Sequence, residues 1–149
     1  MSGFLLDTNV LSEFNRRGEP DQRVKHWLEA ADTESLHASV HTFGEIRYGI
    51  ELLPLSKRRA QLEQWLERDL HEWFEGRILP VDQPITDRWG VLRAQAQLQG
   101  RSLSVIDALL AASAMQYKLT LVSRNVSDFS AVGLAVVNPW SPERDKRRS

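Results

Sequence analysis

Short apolar runs alternate with longer segments of helical periodicity along the chain. Each run is typical of a buried strand, and in the segments between them apolar residues recur every three to four positions. The predicted strands cover residues 3–6, 35–38, 78–81, 119–122 and 134–137, and the predicted helices start near residue 8 and cover residues 21–32, 43–53, 56–74, 85–100 and 105–115. Because the strands are too far apart in sequence for hairpins, this order predicts an α/β fold with a parallel sheet and helices on both faces.

The composition limits the chain to one domain of ordinary size. Its 149 residues are 42% hydrophobic and 26% charged, and the formal net charge of −1 excludes binding of nucleic acid through overall basicity. The absence of Cys excludes disulfides, a thiolate nucleophile and Cys-containing metal sites. No apolar run approaches the roughly 20 residues of a membrane span, and the apolar start is too short for a signal peptide. We expect a soluble, unprocessed cytoplasmic protein with one domain over residues 1–140 and a disordered basic tail over residues 141–149.

Three acidic residues lie where the surrounding sequence is apolar. Asp7 directly follows the first predicted strand, Glu45 lies at a predicted helix start, and Asp107 interrupts an apolar helix. A helix cap would explain each acid taken singly, since Thr42 and Ser104 lie three residues before Glu45 and Asp107 as in a capping box. In a parallel sheet, however, all three helix starts would lie at the same sheet edge, where ligands bind in such folds. The joint pattern therefore favours one shared site.

Carboxylates gathered in one cleft repel one another unless a cation lies between them. An oxygen-only set of ligands selects Mg²⁺ or Mn²⁺ rather than zinc. Such a site is typical of metal-activated water attacking a phosphodiester, so the predicted reaction is phosphodiester hydrolysis.

The segment after the fourth predicted strand carries further polar candidates. Ser123 and Asn125 would ligate metal or water there, and Asp128 would supply a fourth carboxylate. Arg124 would either hold a phosphate through its fork of donors or pair with Asp128. A Ser or Asx turn leading into a loop explains the same residues equally well.

Four motifs occur in a fixed order along the chain and share a family likeness. They are Leu5-Leu6-Asp7-Thr8-Asn9-Val10, Phe43-Gly44-Glu45-Ile46-Arg47-Tyr48-Gly49, Asp107 in its apolar helix, and Ser123-Arg124-Asn125 before Asp128-Phe129, followed by a late Asn138-Pro139-Trp140. Together they resemble the PIN-domain ribonucleases, and among these the toxins of the VapC and FitB type, from about residue 4 to residue 140.

The resemblance implies a three-layer α/β/α fold and an endoribonuclease that depends on Mg²⁺ or Mn²⁺. It also implies a toxin of a toxin–antitoxin pair that forms homodimers and is inhibited by a small antitoxin, which itself binds operator DNA. Asp7, Glu45 and Asp107 match the three acidic metal ligands of the family. We expect Asn125 and Asp128 to assist catalysis, and the orienting or substrate-binding residues to be Thr8, Ser123 and Arg124.

Two other functions compete with this hypothesis. Asn125 stands where many relatives carry a fourth Asp, which favours a catalytically weak or inactive module that binds RNA or the antitoxin. A phospho-acceptor domain also places an Asp after its first strand, but its chemistry requires a second Asp two residues later, and residue 9 is Asn.

Several other groups of residues have both a functional and a structural explanation. His37 and His41 have the spacing of metal ligands on a helix, but the residues around His37 read as a strand. The basic clusters at 16–17 and 57–59 would bind RNA phosphates, although solvated surface is the commoner role. For the five Trp residues, at positions 27, 65, 73, 89 and 140, core packing or an interface is favoured over base stacking. We expect part of helix 56–74 to contact a second subunit or the antitoxin.

Overall fold

The computed structural model describes residues 3–15 and 18–141 and contains a five-stranded sheet. Every strand pair is parallel, and the strand order is β3-β2-β1-β4-β5. The strands are β1 (Phe4–Leu6), β2 (Leu36–Ser39), β3 (Ile78–Leu79), β4 (Thr120–Val122) and β5 (Val136–Val137). The predicted parallel α/β sheet is therefore confirmed.

Helices fill the connections between the strands. They are α1 (Thr8–Leu11), α2 (Gln22–Ala30), α3 (Val40–Glu51), α4 (Lys57–Gln64), α5 (His71–Trp73), α6 (Gln83–Leu98), α7 (Val105–Gln116) and α8 (Val126–Ser130). Most begin at a side-chain cap: Asp21 accepts a hydrogen bond from the Arg23 amide before α2, and Ser56 accepts one from Arg59 before α4.

The sheet divides the apolar residues into two cores. Leu6 of β1 and Val122 of β4 point into a core shared with α1 to α5, whereas Leu5 and Leu121 point into a second core shared with α6 to α8. This split follows from the alternation of side chains along a strand. It confirms the three-layer α/β/α arrangement.

The chain changes direction at β1. Successive connections build outward from β1 through β2 to β3, and the later strands β4 and β5 are added on the other side. In open parallel sheets this switch point leaves a crevice beyond the carboxyl ends of the two central strands. Asp7 lies directly after β1 and Ser123 directly after β4, and the Asp7 amide donates a hydrogen bond to the Val122 carbonyl at 2.9 Å.

The helix that carries Glu45 starts earlier than predicted. The cap of α3 is Ser39, which accepts a hydrogen bond from the His41 amide, so Glu45 lies in the second turn and not at the helix start. The alternative in which Thr42 and Glu45 form a capping box is therefore wrong. Thr42 is fully buried, and its hydroxyl has no partner within the described residues.

The long amphipathic helix predicted for residues 56–74 is present but not uniform. It runs through α4, a π-helical segment at Trp65–Leu70 and α5. π-helical turns often accompany functional surfaces. The segment contributes Leu66 and Leu70 to the first core.

One buried cation joins three elements of the first layer. Arg77 is 8% exposed and donates hydrogen bonds to the carbonyls of Thr33, Leu36 and Trp73. Its guanidinium also faces the Trp73 and Phe74 rings. It therefore connects the end of α5 to the turn before β2.

Two predicted features lie outside the described residues: the basic pair at 16–17, and all but the first residue of the tail at 141–149. Of the other basic cluster, Arg59 pairs with Glu51 and Glu63, as expected of solvated surface. Across the described segments, no helix is long and apolar enough to cross a membrane.

Candidate active site

A polar cavity of about 490 Å³ lies at the switch point of the sheet. It is lined by Asp7, Thr8, Asn9, Ser12, Glu13, Glu45, Ile106, Asp107, Arg124, Asn125 and Trp140. Six of the eight residues that the sequence singled out are in this set. The fold thus brings together groups from the start, middle and end of the chain.

Asp7 occupies the floor of the cavity. Its side chain is 7% exposed and accepts hydrogen bonds from the Thr8 amide to Oδ1 at 2.7 Å and from the Ser123 hydroxyl to Oδ2 at 2.8 Å. Through the first bond Asp7 caps α1, as one of the sequence-based alternatives predicted. It is both a cap and a member of the cavity, so the two interpretations were not exclusive.

Ser123 lies fully buried behind Asp7 and does not line the cavity. Its hydroxyl donates to Asp7 and accepts from the Asn125 amide at 3.0 Å, while the Asn9 side-chain amide approaches at 3.4 Å. These contacts hold the Asp7 carboxylate in one orientation. The role of Ser123 in a reaction stays a prediction.

Thr8 connects two of the acids. Its backbone amide donates to Asp7 and its hydroxyl donates to Oε1 of Glu45 at 2.7 Å. Glu45 lies in the second turn of α3 and accepts this hydrogen bond from Thr8. Its carboxylate therefore has a partner at the cavity although it caps no helix. Thr8 therefore links the two carboxylates through one hydrogen bond to each.

Asp107 enters the cavity from the first turn of α7. Its amide donates to the hydroxyl of Ser104, the cap of that helix, so half of the predicted capping box is present. Asp128 does not line this cavity. It lies in an adjoining groove of about 220 Å³ beside Arg101 and Ser102, close enough for its charge to act on Asp107.

The electrostatics of the cavity disfavour ionised acids. Burial raises the pKa of Asp7, the hydrogen bonds from Ser123 and Thr8 lower it, and the charges of Asp107 and Glu45 raise it again, with a net upward direction. Burial also raises the pKa of Asp107, against the hydrogen bond from Ser104, and Asp128 adds to the rise. A cation in the cavity would reverse this tendency.

The donor set fits a hard divalent cation. In residues 3–15 and 18–141, Asp7, Glu45 and Asp107 form no ion pair, and the carboxylates present only oxygen ligands, which suit Mg²⁺ or Mn²⁺. No three acidic or histidine side chains within those ranges already form a closed metal cluster. The carboxylates would therefore have to move toward an ion when it binds.

The histidine pair does not form a second metal site. His37 lies on β2 with Nδ1 near the Phe4 and Ser35 carbonyls, whereas His41 lies on α3. Burial lowers the pKa of His41 to about 4, so its ring is neutral.

Sequence reasoning missed several cavity residues, notably Asn9, Glu13 and Trp140. Asn9 lies within the first motif, two positions beyond Asp7, and its signal in the sequence is only that it is not the second Asp of phospho-acceptor chemistry. Core packing or an interface is the role that the sequence favours for Trp140, which is 5% exposed, but this residue also borders the cavity. Nothing in the local sequence around Glu13 distinguishes it from a surface acid.

Comparison with known families gives a match to the PIN domain over residues 4–134. This range contains ten of the eleven residues that line the cavity, including Asp7, Glu45 and Asp107, and leaves out Trp140. The chain belongs to the PIN-domain family.

Two relatives extend over nearly the whole PIN domain. Toxin FitB of Neisseria gonorrhoeae is 38% identical over 91% of this chain and 97% of its own length. The VapC ribonuclease Y4jK of Sinorhizobium fredii is 36% identical over 93% of this chain and 98% of its own length. The resemblance inferred from the motifs is thereby confirmed.

Solved structures show the same architecture. The crystal structure of FitAcB from Neisseria gonorrhoeae matches with a TM-score of 0.86 and 38% identity, over 92% of this chain and 98% of that one. A toxin–antitoxin complex from Klebsiella pneumoniae matches with a TM-score of 0.68 and 28% identity, over 92% and 98%. The PIN-like fold expected from the sequence is confirmed.

The raised pKa of Asp7 predicts an unusual dependence of stability on pH. Both folded and unfolded chains carry a protonated Asp7 below about pH 4. As the pH rises through the raised pKa, ionisation costs more in the folded state, so this carboxyl destabilises the PIN domain at neutral pH. With chelator at pH 7, Asp7→Asn should raise the melting temperature by about 3 °C or more, and the difference should shrink toward pH 4.

The control is Asp87→Asn, which changes an exposed acid of α6 and should leave the melting temperature unchanged. Added Mn²⁺ should stabilise the parent and not Asp7→Asn, because only the parent retains the full set of carboxylates. A parent that is more stable than Asp7→Asn in chelator at pH 7 would contradict the assigned electrostatics.

Proposed function

We propose that this PIN domain is an endoribonuclease that depends on a divalent metal ion, and that it is the toxin of a toxin–antitoxin pair. The observation that carries the proposal is the convergence of Asp7, Glu45 and Asp107 on one cavity, where no cationic side chain among the described residues forms an ion pair with any of them. PIN-domain ribonucleases generally depend on a divalent metal. Mg²⁺ or Mn²⁺ is the ion that these oxygen ligands favour.

Each residue of the cavity has a separate role in this proposal. Asp7, Glu45 and Asp107 would hold the cation, which when bound supplies Lewis-acid activation of water and neutralises phosphodiester charge. Thr8 and Ser123 keep two of these carboxylates in place through the hydrogen bonds described above. Hydrolysis adds water to phosphorus, breaks one P–O bond and leaves a proton on the departing ribose oxygen.

Other polar groups would contact the substrate. Asn125 precedes α8, its side chain makes no capping hydrogen bond, and it lines the cavity, so its amide is available to water or RNA. Asp128 acts from the adjoining groove, where its charge affects Asp107. We therefore propose that Asp128 tunes the site and makes no direct contact with the scissile phosphate.

The second candidate is a PIN-like module that binds RNA or an antitoxin without cutting. Asn125 is the observation that favours it, because an amide replaces a carboxylate at the cavity and removes one anionic ligand. The retention of the three central acids favours catalysis.

An antitoxin is the partner that the solved toxin–antitoxin relatives support. We propose that one apolar segment of it enters a second cavity of about 430 Å³ between α1, α2 and the π-helical segment. Trp65, Leu28 and Leu70 line this cavity, and Phe14 and Trp73, also in its lining, are 44% and 43% exposed. Apolar surface of this kind is typical of a protein interface.

We propose that the antitoxin binds operator DNA. We also propose that this chain forms a homodimer. Exposed apolar side chains near the end of α3, including Tyr48, Leu52 and Leu55, give a second copy of the chain a surface to cover. Light scattering of the chain without antitoxin, across the micromolar range, distinguishes the dimer from the monomer.

Cleavage of single-stranded RNA tests the proposed activity. Asp7→Asn should lower the cleavage rate in Mn²⁺ by about 100-fold or more, because the change removes a metal ligand, and chelator should abolish cleavage by the parent. Asp87→Asn should cleave at the parental rate. Cleavage that is equal in Asp7→Asn or indifferent to chelator would refute the metal-dependent mechanism, and RNA binding without cleavage by the parent would favour the binding module.

Binding of the proposed antitoxin tests the partner surface. Trp65→Ala should weaken that complex by at least about 10-fold, since a large aromatic side chain would leave the interface. The control, Leu98→Ala, changes a side chain on α6 that is 87% exposed and remote from the cavity. Equal affinities for parent and Trp65→Ala would exclude this cavity as the antitoxin site.

A further inference from the structure

An arginine and a tryptophan are stacked at the edge of the acidic cavity. The guanidinium carbon of Arg124 lies 4.2 Å from the centroid of the Trp140 ring, well inside the range of a cation–π contact, and both residues line the cavity. We propose that Trp140 is a positioning residue that holds the Arg124 guanidinium ready for a phosphate of the RNA chain. This inference rests on the proposed function and assigns Trp140 a part in it.

The fold brings the two side chains together from neighbouring strands. Arg124 follows β4 and Trp140 follows β5, and these strands pair in parallel at one side of the sheet. The Trp140 amide donates to Oδ1 of Asn138 at 2.9 Å, which turns the chain so that the ring is 5% exposed. The aromatic surface is therefore fixed, whereas Arg124 is exposed.

The acids around Arg124 would otherwise compete for its guanidinium. Four acids line the cavity, and among the described lining residues Arg124 is the single Lys or Arg. An arginine in these surroundings would ordinarily fold onto a carboxylate and occupy both its own donors and the proposed metal ligands. Within the described chain, however, no ion pair or hydrogen bond engages its guanidinium, and the contact with Trp140 is the interaction that it makes.

The arrangement leaves the donors of Arg124 available. A ring face attracts the guanidinium through its π electrons and takes up none of its N–H groups in hydrogen bonds. These groups suit the paired oxygens of a phosphate. A phosphate held there would lie in the same cavity as the three carboxylates that would hold the cation.

A conservative substitution of Trp140 keeps its aromatic ring. Nε1 of Trp140 is buried and has no hydrogen-bond partner in the described part of the chain. Trp140→Phe therefore keeps an aromatic face without losing a hydrogen bond. Trp140→Leu keeps an apolar side chain and removes that face.

The test measures binding of a fluorescein-labelled single-stranded RNA by full-length Asp7→Asn protein, in which cleavage is suppressed. In this background Arg124→Ala and Trp140→Leu should each weaken binding by about 3- to 10-fold, and the double variant should be no weaker than Arg124→Ala alone. Trp140→Phe should retain most of the affinity. In otherwise parental protein, Trp140→Leu should raise KM more than it lowers kcat.

A matched control is present in the chain. Arg93 lies 5.5 Å from the centroid of the Trp89 ring, in a similar contact outside the cavity, so Arg93→Ala should leave RNA affinity unchanged. If Trp140→Leu does not fold, as judged by circular dichroism, Arg124→Lys replaces it. A lysine keeps the charge but lacks the flat guanidinium, so Arg124→Lys should weaken RNA binding by at least half the factor measured for Arg124→Ala.

The possible failures are distinguishable. Independent effects of the two substitutions, or full affinity in Trp140→Leu or Arg124→Lys, would overturn the positioning role and leave the proposed nuclease intact. Failure of Asp7→Asn protein to bind RNA at all, together with no cleavage by the parent, would overturn the proposed function and this inference with it.

Discussion

An ionised carboxylate at the buried end of β1 is unfavourable, and the surrounding site is arranged around that cost. Asp7 is almost inaccessible to water, and Glu45 and Asp107 add negative charge around it. The free-energy cost of ionising Asp7 is offset only in part by the hydrogen bonds from Thr8 and Ser123, because those donors are neutral. The cavity therefore favours either a proton or a cation, and a hard dication suits its oxygen ligands.

The parallel sheet explains why this constraint arises at one place. Reversal of the strand order around β1 opens a crevice, and the residues after β1, β4 and β5 all reach it. Asp7, Arg124 and Trp140 come from those three positions, and α3 and α7 add one acid each. Ser123 fixes Asp7 from below, and Thr8 links Asp7 to Glu45. The separation of acidic and basic groups within the cavity is thus a property of the fold as well as of the individual residues.

Sequence patterns predicted the architecture well because strands and helices differ in period. The parallel sheet, the order of its elements and the gathering of Asp7, Glu45 and Asp107 all followed from apolar runs and from acids at improbable positions. The start of α3 could not be predicted from the sequence, because Ser39 and Thr42 are both plausible caps and only packing decides between them. Residues 126–130 form α8, anchored by buried Phe129, although a loop was equally consistent with the sequence. The position of Asp128 beside Arg101, the contacts of Arg77 and the stacking of Trp140 under Arg124 depend on three-dimensional packing and leave no local signal.

The most direct test of the central claim is a crystal structure of the chain grown with Mn²⁺, with anomalous diffraction used to locate the ion. We expect an anomalous peak in the switch-point cavity, within ligand distance of the Asp7 carboxylate and at least one of Glu45 and Asp107, and no such peak in crystals of Asp7→Asn. A cavity without a Mn²⁺ peak at saturating concentration, or an ion bound elsewhere with Asp7 facing only its protein neighbours, would contradict it.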